Sequence, residues 1–162
     1  FQLLLSILLN LSTISLIMIY SGKIKETILY ITSTFVLRHH TGGYHAKTPE
    51  RCFILTTSIY ILILIIVNIV TIKPSIIILG LLIPSFIVIW KLSPIVHENN
   101  PVRESDLYRH RQYSIIISIF IMCTVIIFVL IKQYTLSLGL SLGFFQVRIS
   151  LLFEKIKGGV VQ

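Results

Sequence analysis

Residues 113–131 read Tyr-Ser-Ile-Ile-Ile-Ser-Ile-Phe-Ile-Met-Cys-Thr-Val-Ile-Ile-Phe-Val-Leu-Ile, without one charged side chain. A helix rises about 1.5 Å per residue and a bilayer's hydrocarbon core is about 30 Å thick, so about 20 apolar residues cross it. The many β-branched side chains are no objection. In lipid each backbone polar group must bond within its own segment, so a lone strand is excluded. The stretch therefore reads as a membrane helix, and the sequence on either side repeats the pattern. Apolar segments are expected over 134–153 after it and over 75–90, 53–72, 24–37 and 3–20 before it. Pro84 lies inside one of them as a kink candidate. The segment at 24–37 is short and carries Glu26 near its start.

Composition leads to the same class. Hydrophobic residues make up 55% of the 162-residue chain and charged ones 12%, too little polar sequence for the shell of a soluble domain. The expected fold is all-α: a polytopic integral membrane protein of about six hydrophobic helices. The second is short enough to re-enter the bilayer face instead of spanning it. Residues 1–162 form a single domain in this reading. The chain starts at Phe1, which suggests missing N-terminal residues, and no basic region precedes the first apolar run as a signal peptide would require.

Basic residues orient the segments. With six spans, Arg38, Lys47, Arg51, Lys91, Arg103, Arg109, Arg111, Lys155 and Lys157 share one side, and Lys23, Lys25, Lys73 and Lys132 the other, 9 against 4. The richer side is expected to be cytoplasmic, with both termini. If the second segment only dips into the interface, the loop from Arg38 to Cys52 still faces the cytoplasm. Positive-inside orientation and contact with anionic lipid account for the net charge of +8, so nucleic acid is not an expected partner.

The chemistry-bearing stretch is Arg38-His-His-Thr-Gly-Gly-Tyr-His-Ala-Lys-Thr-Pro-Glu-Arg-Cys52. Thr48-Pro49-Glu50 has the order of a helix start: cap, first-turn proline, first-turn acid. Cys52 then falls about one turn into the next segment. Free N–H groups, the helix dipole and Arg51 favour its thiolate, while burial at the membrane edge opposes it. An imidazole that takes the proton would decide the balance, and His45 is the candidate. On one continuous helix the two residues would be about 10.5 Å apart along the axis, beyond the ~3 Å reach of a base. Pro49 disfavours helix at Thr48, and Gly42-Gly43 permits a tight return, so the chain can fold His45 back. The competing readings are Cys52 as a packing residue and His45 as an interfacial one. Metal binding is not expected: His39 and His40 should diverge as neighbours, and no Cys-x2-Cys pair accompanies His40 and His45. Two cysteines, Cys52 and Cys123, make no disulfide framework, and Cys123 reads as packing.

Arg38, Gly42-Gly43, His45 and Cys52, set at the mouth of a membrane helix, resemble the accessory gene regulator protein B (AgrB) family. Ser93-Pro-Ile-Val-His-Glu-Asn-Asn-Pro-Val102 is similar to that family's second hallmark, P-V-x-x-x-N-x-P. Pro94, Asn99 and Pro101 match it, and Ile95 replaces the valine. The resemblance runs from the first apolar segment to the sixth. It implies a cysteine endopeptidase of Gram-positive quorum sensing that needs no cofactor. Such an enzyme cuts the C-terminal part from a membrane-bound AgrD-like propeptide and helps form its thiolactone or lactone ring. By the same resemblance Cys52 is the nucleophile, His45 the base, Gly42 and Gly43 the shaping glycines, and Arg38 the leading arginine. Glu50, Glu98, Asn99 and Asn100 are candidates to orient His45. Arg109, His110 and Arg111, beside the fifth segment, read first as interfacial anchors, with contact to an acidic propeptide stretch the alternative for Arg109 and Arg111, and Arg148 is a further substrate-contact candidate. Arg148 can also snorkel to the interface. Gly139 and Gly143, with Ser137 and Ser141 beside them, form a close-packing face. It serves either the chain's own fold or a homodimer, which the resemblance favours. The alternative function is a small transporter that exports a peptide without cutting it. A nearly charge-free midplane with polar residues at one mouth argues for the enzyme over that alternative and over a purely structural subunit.

Overall fold

The computed structural model describes residues 2–42, 54, 57–62, 65, 74–96, 104–156 and 160–161. The chain is all-α in class. Helices with described bounds are α1 (Gln2–Ser21), α2 (Ile24–Thr41), α3 (Pro74–Leu92), α4 (Glu104–Leu130) and α5 (Tyr134–Ile156), and residues 57–62 are also helical. Two-residue strands β1 (Ile95–Val96) and β2 (Val160–Val161) pair antiparallel. Among the described residues, three helices are long and apolar enough to cross a membrane: residues Ser75–Leu92 in α3, Asp106–Leu130 in α4, and all of α5.

Hydropathy located these helices and most of their ends to within three residues, but missed the start of α4 and the end of α2. α4 begins at Glu104, well before the apolar run at Tyr113. Its first turns carry Asp106, an acid that suits the positive end of the helix dipole, and they project a polar extension from the membrane segment. α2 continues past the apolar residues through Arg38, His39 and His40 to Thr41. α3 runs through Pro84 without a break.

The core is apolar, with Leu37, Ile78, Leu82, Phe144 and Leu151 fully buried, and the outer surface is apolar as well. Outside, α3 presents Ile76, Leu79, Ile83, Ile87 and Trp90, and α4 presents Ile116, Ile119, Phe120, Ile126, Ile127 and Leu130, all exposed. Spacings of three and four residues put each set on one helical stripe, and apolar surface of this extent marks a lipid-facing wall. Inside lie the hydroxyls of Thr27, Ser33, Ser85, Ser114, Ser118, Ser137 and Ser141. Several bond back to their own helix, as in Ser118 Oγ to Ser114 O (2.6 Å) and Ser141 Oγ to Ser137 O (2.8 Å), so their burial leaves no donor unpaired. Ser93 Oγ crosses from the end of α3 to Ser114 Oγ on α4 at 2.8 Å.

α5 is the central helix. Its span is 61% buried, against 28% for α3 and 22% for α4, and it packs most heavily on α2 and α3. The buried face of α2 is Thr27, Tyr30, Ser33, Leu37 and Thr41. Against it lie the two glycines of α5. A Cβ on Gly139 would come within 2.6 Å of the Glu26 carbonyl oxygen, and one on Gly143 would strike Ser33 Oγ and the Tyr30 carbonyl. The small-residue face is thus spent inside the chain, on α2, and is not free for a second copy. One turn further along the same seam, Tyr30 Oη donates to Gln146 Oε1, and Thr34 Oγ1 donates to the same oxygen at 3.4 Å. Below them Thr27 Oγ1 and Tyr60 Oη are 2.8 Å apart, and the Tyr30 and Tyr60 rings stack at 5.8 Å.

Candidate functional site

The C-terminal ends of α2, α3 and α5 and the N-terminal end of α4 meet at one end of the bundle. Gly42, past the last turn of α2, forms a parallel bridge with Ile95 of β1. It adopts φ +70° and ψ −145°, a backbone region that essentially only glycine occupies. A side chain there would also run into the Ile95 carbonyl oxygen. Glycine is required twice over, by conformation and by contact. The bridge joins the two stretches that sequence reading singled out, because Gly42 belongs to the first and Ile95 to the second. On its other side β1 takes the tail, with Ile95 opposite Val161 and Val96 opposite Val160.

Imidazoles gather at the same end. The His40 ring centroid lies 4.8 Å from His39, 5.4 Å from His110 and 5.3 Å from Tyr113, and His39 is 6.2 Å from His110. The expectation that His39 and His40 diverge fails here. Their Cα–Cβ bonds do point apart on the helix, but both rings fold toward the polar extension of α4. Burial, followed by the neighbouring imidazoles of His39 and His110, pushes the His40 pKa below its ordinary value, since each factor disfavours a further positive charge. His40 Nδ1 is buried with no hydrogen-bond partner among the described residues. No group of three or more His, Cys, Asp or Glu that could hold a metal ion occurs among them either.

Of the other candidate residues, Arg38 is half-buried on the last turn of α2. Arg109 and Arg111 are exposed on the α4 extension. Arg148 is half-buried on α5 with its guanidinium 5.7 Å from the Phe145 ring centroid, and its Nε is buried without a hydrogen-bond partner among the described residues. Gly43, His45, Glu50, Cys52, Glu98, Asn99 and Asn100 lie outside the described residues. Cys123 was expected to pack, but its side chain is exposed on α4. Sequence reading missed the His39–His40–His110–Tyr113 group and the Tyr30–Gln146 bond. The only available signal for the bond was a glutamine amid apolar residues of a membrane helix, which demands a partner there.

The helices, three of them long and apolar enough to span a bilayer among the described residues, define a polytopic membrane protein. The accessory gene regulator B (AgrB) family model matches residues 1–152, and the chain belongs to that family. Membership gives it a role in quorum-sensing peptide processing, with an AgrD-type propeptide as partner. No curated protein and no solved structure matches it significantly.

Proposed function

We propose that this chain is a membrane-embedded cysteine endopeptidase that removes the C-terminal part of an AgrD-like propeptide and promotes ring closure. The supporting observation is the Gly42–Ile95 bridge. It ties the end of the Arg38–Gly42 helix to the second hallmark stretch, as a site built from both loops requires.

In the proposed mechanism His45 takes the proton of Cys52, and the thiolate attacks the scissile carbonyl. A C–S bond forms, the C–N bond breaks, and the departing amine receives the proton from the imidazolium. The propeptide remains as a thioester on Cys52. A cysteine or serine within it then attacks the acyl carbon, closes the thiolactone or lactone, and returns the thiol. Holding both ends of one substrate favours this closure over hydrolysis, and a partly dry membrane edge slows attack by water. Backbone N–H groups at the helix start around Cys52 are the first candidates to hold the oxyanion, and Glu50, Glu98, Asn99 or Asn100 the candidates to orient His45. Arg109 and Arg111, exposed at the same end, suit an acidic stretch of substrate, and Arg148 is a further substrate-contact candidate. By the charge count this end faces the cytoplasm of the bacterial cell, where new propeptide arrives. A homodimer would need a face other than the one carrying Gly139 and Gly143.

The test is mass spectrometry of a co-expressed propeptide with wild type, Cys52→Ala and His45→Ala. Release of the C-terminal fragment by wild type alone, with all three proteins inserted in the membrane, upholds the proposal. Equal cutting by the variants overturns it.

A further inference from the structure

A strand has two edges, and both edges of β1 are in use. Ile95 bridges Gly42 in parallel and also stands opposite Val161 in the antiparallel pair. One neighbour can occupy an edge at a given residue, so Gly42 and β2 flank β1 on opposite sides. The Gly42 side is built in: it joins the two hallmark stretches. The other side is filled by Val160–Val161, which lie beyond residues 1–152, the part matched by the family model. A core element of the site therefore presents backbone N–H and C=O groups to a piece of chain outside the matched core.

Chain connectivity allows the proposed base to reach that edge. Neighbouring strands are about 4.8 Å apart, so a chain at the β2 position runs about 10 Å from Gly42. His45 is three residues beyond Gly42, and three residues of chain reach at most about 11 Å. A peptide at the β2 position is thus within the radius that chain connectivity allows the base. A peptide to be cut must be held extended, and strand addition does this through main-chain bonds with little demand on side chains.

Resting on the peptidase reading above, we infer that the edge of β1 now paired with Val160–Val161 is the docking edge for the extended propeptide segment, and that the chain's own tail occupies it when substrate is absent. Substrate enters as the antiparallel partner of Ile95–Val96 and displaces β2. The tail is then a built-in competitor, and weakening its pairing should tighten substrate binding.

The experiment uses the full chain carrying Cys52→Ala in phospholipid nanodiscs and a labelled AgrD-like propeptide from the same organism, with binding read by fluorescence anisotropy. A set of propeptides carries single backbone N-methyl groups, one position at a time. Strand addition uses N–H groups at alternate residues. N-methylation should therefore weaken binding by about fivefold or more at the one or two alternate positions that pair with the two-residue β1, and little between or beyond them, as expected for one hydrogen bond lost. Val160→Pro, which removes an N–H from β2, and a chain ending at Ile156 should each bind the unmodified propeptide several-fold more tightly. A flat N-methyl scan, absent binding, or weaker or unchanged binding by both tail variants overturns the inference. Wild-type cleavage is measured in parallel. Cutting with a flat scan leaves the peptidase standing and removes the docking edge, whereas an alternating scan without cutting does the reverse.

Discussion

Replacing Gly139 by alanine adds one methyl group at the closest point between α2 and α5. That methyl would lie 2.6 Å from the Glu26 carbonyl oxygen, 3.2 Å from Glu26 Cα and 3.3 Å from its carbonyl carbon, all backbone atoms. None can rotate aside. Ordinary contact begins near 3.4 Å, so the helices must part by about 0.8 Å, and a gap of that size forfeits a quarter to a half of each facing dispersion contact. Overpacking of this kind costs about 1–3 kcal/mol. Loss of the Tyr30–Gln146 hydrogen bond, further along the same seam, would add about 0.5–1.5 kcal/mol. Alanine's better helix propensity returns up to about 1 kcal/mol. The net expectation is a loss of about 0.5–4.5 kcal/mol, measured by steric-trap unfolding in bicelles. Gly80→Ala is the control, because nothing lies within 4 Å of the added methyl, and it should be neutral or slightly stabilising. A Gly139→Ala protein as stable as wild type would refute the claim that glycine sets the spacing of α2 and α5.

Gly42→Ala should abolish propeptide cleavage while leaving membrane insertion intact, as read by fragment release and protease protection, because φ +70° and the Ile95 carbonyl both exclude a side chain. In a double-mutant cycle, Tyr30→Phe and Gln146→Leu should each destabilise by about 1 kcal/mol and together by less than the sum; strict additivity would show that the pair does not interact. His40 has a folded pKa below its ordinary 6.5, so as pH falls through that value the unfolded chain takes up the proton first and stability declines. Thermal midpoints between about pH 8 and pH 5 should show this loss. His40→Gln should flatten it. A maleimide should label Cys52 faster than Cys123 if the proposed base activates the thiol; comparable or reversed rates count against activation.

The class of the fold was legible because solvent dictates it. Runs such as 113–131 have one stable form in lipid, and the outward stripes of α3 and α4 carry the isoleucines that announced them. Helix ends were less legible, since hydropathy reports where a helix enters lipid and not where it stops. The α4 extension and the last turn of α2 are polar, and both lie at the candidate site. The glycines of α5 signalled close packing, but the signal does not say against what. Complementarity decides that: α2 meets them with Tyr30, Ser33 and backbone, and its Tyr30 and Thr34 give Gln146 the donors that a lipid tail would not.

The same limit applies to the site, and there it has a consequence. Gly42 could be read as a shaping glycine, and the stretch around Ile95 as a second hallmark, yet neither sequence contains the other's address. Their meeting follows from the helices, because the α2–α5 seam sets how far the end of α2 projects, and α3 packs on that same central helix. Substitutions in the seam, remote from His45 and Cys52 in sequence, should therefore alter the Gly42–Ile95 bridge before they unfold the protein. Gly139→Ala should reduce propeptide cleavage by a larger factor than the fraction of molecules it unfolds, which distinguishes displacement of α2 from simple loss of folded protein. If activity instead tracks the folded fraction alone, the seam stabilises the bundle without placing the site.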